Sequence, residues 1–142
     1  CRCSPEVVLR YQGKLSGPLL DRVYLHVEVG SLAADELVNA PPGESTEAVR
    51  SRVVQARQRA VARQGSANQA LEGQAIDTQC QLDPAAAKFL NVAATRLGWS
   101  GRGIHRCLKV ARTIADLAGA QTVQITHVAE AVQYRRVLKA AH

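Results

Sequence analysis

Methionine is absent from the 142 residues, and the chain holds one Phe, one Trp and three Tyr. A core must therefore be built from Ala, Val and Leu, and many small residues favour closely packed helices over a sandwich of sheets. No apolar run approaches the length that crosses a bilayer, and no secretory segment opens the chain. The four cysteines, Cys1, Cys3, Cys80 and Cys107, are spaced too irregularly for a disulfide framework. Together these absences lead to the expectation of a reduced, cytoplasmic protein with no membrane partner. The chain begins at Cys1 rather than Met, which reads as a fragment or processed product of a longer polypeptide.

What is present is a basic balance. Eighteen Lys and Arg against twelve Asp and Glu give a formal charge of +6 and a pI near 9.6. That suits a polyanionic partner such as nucleic acid or a nucleotide phosphate, or simply a solvated basic surface. Cys1 and Cys3 can supply half of a zinc site, but a second pair at ligand spacing is missing, so no metal site is assigned within the chain. Cys80 and Cys107 stand in apolar surroundings and read as small core residues.

Along the chain, Ser4-Pro5-Glu6 is a helix start, with Pro at the first helical position and an acid in the first turn. A short second segment follows around Pro18. Val23, Leu25, Val27 and Val29 then alternate with Tyr24, His26 and Glu28, a period of two that predicts a short strand. After one helical turn near 32–37, Pro41-Pro42-Gly43 marks a boundary. Ser45 or Thr46 opens a long helix that closes at Gly65. Its arginines wrap around the surface and read as a solubilising or DNA-facing set. A short helix is expected near 76–80. Asp83-Pro84 starts the next helix, which Gly98 ends, and Trp99 reads as a core or staple residue.

The stretch 100–119, SGRGIHRCLKVARTIADLAG, is the centre of the pattern. Ser100 is a good N-cap and Gly119 a good stop. Ile104, Cys107, Leu108, Ala111, Ala115 and Ala118 draw one apolar face. Arg102, Arg106, Lys109 and Arg112 are its cations, and Arg112 pairs most simply with Asp116 one turn on. Thr126 is expected to cap a final helix with Val128, Ala131, Val132, Arg135 and Leu138 on one side. His127 reads as a surface or capping histidine. The fold class is mainly α: a helical bundle preceded by a short helix–strand piece.

The segments YQGKLSGPLLDRVYLHVEV, SGRGIHRCLKVARTIADLAG and HVAEAVQYRR resemble the C-terminal part of the magnesium-chelatase-like AAA+ ATPases, and within them the ComM/YifB group associated with DNA processing. The resemblance covers nearly the whole chain, and LSGPLLDR and ARTIADL carry most of its specificity. It implies that 1–30 ends an α/β nucleotide-binding core, that 31–44 is a linker and that 45–142 is a helical lid. It implies that Arg22 is an arginine finger reaching the nucleotide of a neighbouring subunit, the chemistry a permanently charged guanidinium supplies in phosphoryl transfer. It implies that Arg102, in the first turn of its helix, is the sensor 2 arginine toward the ATP γ-phosphate, with Arg106 a possible helper. Tyr24 stands where the family usually has Asp.

The implied cofactors are ATP and Mg²⁺ in the full-length protein. The implied partners are the chain's own N-terminal AAA+ core, a homo-oligomeric ring, expected as a hexamer, and DNA. Yet no GxxxxGK[ST] motif and no acidic cluster after an apolar strand occurs in these residues. The chain alone is expected to bind neither cofactor and to hydrolyse no ATP. A stand-alone nucleic-acid-binding helical domain, or a protein-interaction bundle, is the alternative.

Overall fold

The computed structural model describes residues 3–135. Among them run eight α-helices and one 3₁₀ turn: α1 (Pro5–Gln12), α2 (Gly17–Arg22), α3 (Ala34–Asn39), α4 (Thr46–Gln64), the 3₁₀ turn (Asn68–Ala70), α5 (Gln74–Gln79), α6 (Pro84–Leu97), α7 (Gly101–Leu117) and α8 (Ile125–Gln133). The architecture is mainly α, as the composition and periodicity predicted.

Both ends of α4 and α6 and the start of α7 are set by caps legible in the sequence. The Ser45, Asp83 and Ser100 side chains accept from Ala48, Ala86 and Gly103 N–H at 3.2, 2.6 and 3.1 Å. Each satisfies a donor that the first turn leaves without a partner. Gly65 and Gly98 close α4 and α6 in the left-handed conformation, at φ 76° and 58°. Two starts differ from expectation. Ser4 makes no side-chain cap to α1. Helix α8 is capped at Gln124 rather than Thr126, and His127 Nδ1 accepts from Gln124 N–H at 3.0 Å. His127 is thus a capping histidine, but a buried one.

The expected strand at 23–29 does not form; no ladder pairs these residues with any described segment. Alternation reports two faces of an extended chain, whereas a strand also needs a hydrogen-bonded neighbour. The one pairing seen at either end of the bundle is elsewhere, an isolated parallel bridge between Leu82 and Val123. It ties the start of α6 to the start of α8 through Val123 N–H to Gln81 O and Asp83 N–H to Val123 O.

Helix α7 is the spine. It packs on α8, α4, α5 and the 3₁₀ turn, while α6 closes on α8. Cys107, Ala111 and Ala115 are completely buried along it, facing Val128, Ala131 and Val132 of α8 and Leu90 of α6. Small residues on α7 let its neighbours approach closely, and Trp99 packs against the edge of this core. Ala118, placed on the apolar face by periodicity, is exposed at the helix end.

Burial pushes the Cys80 thiol up to about 11 and the Cys107 thiol up to about 12. Thiolate is the reactive form. Both should therefore resist alkylation at pH 7 in the native protein and react once it is unfolded, while exposed Cys3 reacts at once. Mass spectrometry after a timed iodoacetamide pulse checks this; native labelling of Cys107 at the rate of Cys3 would contradict the packing.

Helix α1 leaves Val7, Val8, Leu9 and Tyr11 substantially exposed. No helix among the described residues is long and apolar enough to cross a membrane. Cys1 and Leu138 lie outside the described residues. Among the described residues no group of three or more His, Cys, Asp or Glu could hold a metal ion.

Candidate functional site

The orientation of α7 is fixed from inside by one carboxylate. Asp116 is 2% exposed and takes hydrogen bonds from three side chains. Arg63 of α4 grips it with both terminal nitrogens, Nη1 to Oδ1 at 2.6 Å and Nη2 to Oδ2 at 3.0 Å. Asn68 Nδ2 donates to Oδ2 at 2.8 Å, and Arg112 Nη2 donates to Oδ1 at 3.0 Å. Arg112, 1% exposed, also donates to the Ala120 and Gln121 carbonyls at 2.5 and 2.7 Å, holding the turn that leaves α7. Arg59 Nη1 donates to the Asp116 carbonyl at 2.6 Å. The Arg112–Asp116 pair is the one expected from their spacing. The surprise is α4: Arg63, half-buried, and Arg59, still exposed, form the clamp that joins α4 to α7.

Burial by itself would raise the Asp116 carboxyl. The bonds from Arg63 and Asn68, with the charges of Arg112 and Arg63, outweigh it and hold Asp116 below the usual carboxylate range. Burial likewise pushes Arg112 down from its ordinary value, opposed by Asp116 beside it. A buried carboxylate flanked by two guanidiniums is a structural joint, although Asp116 and Asn68 also line an open cleft of about 430 Å³ with Val53, Ala56 and Thr113.

The other end of α7 is built differently. Arg102 is exposed in its first turn, Arg106 is half-buried one turn on, and Lys109 follows at the next step. This i, i+4, i+7 spacing sets the three cations on one face. They rim a shallow cleft of about 200 Å³, completed by Tyr24, Leu71, Glu72, Gly73, Ile76 and His105. Glu72 is the single acid on that rim. Lys109 Nζ donates to the Gln69 carbonyl at 3.0 Å, so it is anchored. The Arg106 guanidinium lies over the Tyr24 ring, 5.2 Å from its centroid, and its Nη1 is buried without a hydrogen-bond partner among the described residues. Three cations, a helix N-terminus and one acid favour a multivalent anion, and guanidiniums give phosphate oxygens paired donors. The described residues offer no carboxylate set for Mg²⁺.

The structure therefore brings Arg102 and Arg106 to one cleft and leaves Arg22 outside it. Arg22 is the last residue of α2 and is exposed. It does not line the cleft. Lys109 and Tyr24 were not singled out from the sequence as parts of a site. Lys109 was available, because its spacing from Arg102 and Arg106 already places it on their face. Nothing local signalled Tyr24, which arrives through a tertiary contact.

Two family models match the chain. Residues 43–135 match the family model described as magnesium chelatase, subunit ChlI C-terminal, and residues 1–37 match that of magnesium chelatase, subunit ChlI. Competence protein ComM of Haemophilus influenzae is 42% identical over 139 residues, 97% of this chain and 27% of that protein. The uncharacterized protein YifB of Salmonella typhimurium is 42% identical over 141 residues, 96% of this chain and 27% of its own length. The uncharacterized protein Mb2921c of Mycobacterium bovis is 40% identical over 140 residues, covering 96% of this chain and 28% of that one. The chain thus spans about a quarter of the length of these relatives. The chain belongs to the magnesium chelatase ChlI C-terminal family, and is a magnesium-chelatase-like C-terminal portion of the ComM/YifB kind.

Proposed function

We propose that this chain is the helical lid and adjoining core end of an AAA+ ATPase, and that it contributes charge to a nucleotide site whose phosphate loop and Mg²⁺ ligands belong to the rest of the full-length protein. The observation that carries this reading is the convergence of Arg102, Arg106 and Lys109 on one cleft at the head of α7. In it Arg102 contacts the ATP γ-phosphate from the same subunit, as sensor 2, and Arg106 adds positive charge behind it. Arg22, exposed at the end of α2, reaches the nucleotide of the neighbouring subunit in a homo-oligomeric ring, taken as a hexamer. Such a guanidinium stabilises the charge that spreads over the transferring phosphoryl oxygens.

The resemblance to the ComM/YifB group, with a relative named as a competence protein, extends the proposal to DNA processing in the cytoplasm. The +6 charge is in keeping with DNA as the material acted on.

The test is nucleotide selectivity in the full-length protein. A charge-assisted hydrogen bond is worth roughly 1.5–3 kcal/mol, so Arg102→Ala should weaken ATP by about ten- to a hundredfold. ADP, which lacks the γ-phosphate, should bind within about twofold of the wild type. Calorimetric titration with ADP and a non-hydrolysable ATP analogue reads both. Equal losses for the two nucleotides, or none for either, would remove Arg102 from the γ-phosphate.

A further inference from the structure

Directly after α2, the chain is held to the bundle by three contacts of different kinds. Arg135 Nη1 donates to the Val23 carbonyl at 3.4 Å. The Arg106 guanidinium covers the Tyr24 ring. The Tyr134 carbonyl accepts from the His26 backbone N–H at 2.8 Å, with His26 Nδ1 at 3.2 Å from the same oxygen. Past the patch the hold stops: Val27 is 66% exposed and Val29 85%. Residues 23–26 are thus a docked patch in an otherwise loosely held stretch, and they begin one residue after Arg22.

Both lid helices take part. Arg106 comes from α7 and Tyr134 caps α8. Arg106 also lies one turn, about 6 Å, along α7 from Arg102. Tyr24 is two residues from Arg22, so at most about 7 Å of backbone separates the two. A rigid helix therefore links Arg102 to the Tyr24 ring, and a short piece of chain links that ring to Arg22.

We propose that the Tyr24–Arg106 stack is a latch that makes Arg22 move with the lid, so that the Arg102 end of α7 and the trans-acting arginine change position together. Tyr24 is then a positioning residue acting through Arg22. This rests on the proposed function, since it needs Arg22 to serve a neighbouring nucleotide. The Tyr24 ring suits this role because its aromatic face receives the Arg106 cation.

Because Arg22 serves the next subunit, Tyr24 should matter more in the subunit that donates the arginine than in the one that holds the nucleotide. The test mixes two full-length variants that are each inactive alone. One donates Arg22 but has its phosphate-loop lysine replaced; the other holds ATP but carries Arg22→Ala. ATP turnover recovered by the mixture is the baseline. Tyr24→Ala in the donating variant should lower recovered turnover about tenfold, because a misplaced catalytic group costs rate steeply. Tyr24→Phe there should keep it, since the ring survives. Tyr24→Ala in the nucleotide-holding variant, where the ring also lines the Arg102 cleft, should lower it by clearly less than in the donating variant.

Recovery unaffected by Tyr24→Ala in the donor, or lowered equally from either side, overturns the latch while leaving the arginine finger standing. No recovery in the unmodified mixture overturns the finger reading, and the latch with it.

Discussion

Asp116→Ala is expected to destabilise the bundle by about 3–5 kcal/mol, the usual cost of leaving a buried charge without its partner. Here two guanidiniums lose their counter-charge at once, Arg112 at 1% exposure and Arg63 at partial burial. A small domain has only about 5–15 kcal/mol in all, so the melting temperature should fall by at least about 12 °C. Arg112→Lys keeps the charge, yet should also destabilise. A single ammonium has no planar fork to serve Asp116 and the Ala120 and Gln121 carbonyls together. The exposed Glu44–Arg52 pair is the control: Glu44→Ala should leave the melting temperature unchanged, as surface pairs contribute little.

Acid gives the same account a second reading. The folded Asp116 carboxyl lies below its unfolded value of about 4. Its contribution is therefore complete above that range and is lost as the pH falls through the lowered folded value. Denaturant titrations of wild type and Asp116→Ala at pH 7 and pH 3 should show the gap between them narrowing at the lower pH. A gap that stays constant or widens on acidification would show that Asp116 is not held as a carboxylate.

The parts of this architecture that depend on near neighbours were legible in the sequence. Ser45, Asp83 and Ser100 cap the helices they precede because a cap needs only the next three residues. The Arg112–Asp116 pair follows from one helical turn. Arg63 and Asn68 reach the same carboxylate from 53 and 48 residues away, and no local pattern announces that. The strand expected at 23–29 failed for the same reason in reverse: alternation is local, but a ladder needs a partner from elsewhere. The cleft was half readable. Arg102, Arg106 and Lys109 share a face by spacing alone, whereas the Tyr24 ring reaches Arg106 only through the fold.

The largest functional effect is expected at a residue the bundle does not need. Arg22 is exposed at the end of α2, with no role in the Asp116 joint, so Arg22→Ala should fold and melt as the wild type does. In its proposed role the consequence falls on chemistry alone. An arginine finger is worth about 10³–10⁵ in kcat, because it neutralises charge that develops only as the phosphoryl group transfers. Nucleotide binding should be nearly unaffected, since in the proposed arrangement Arg102 and the phosphate loop of the full-length protein hold ATP in the ground state. Arg102→Ala should show the opposite balance, with the loss in affinity. That contrast between two arginines, one proposed to act across the subunit boundary and one within it, would separate a lid of an assembled ATPase from a basic helical domain that binds polyanions. The most direct measurement is kcat for ATP hydrolysis by full-length Arg22→Ala at saturating nucleotide. A fall of about 10³-fold or more, with the melting temperature and ATP affinity retained, is the predicted result; turnover within a few fold of the wild type would contradict it.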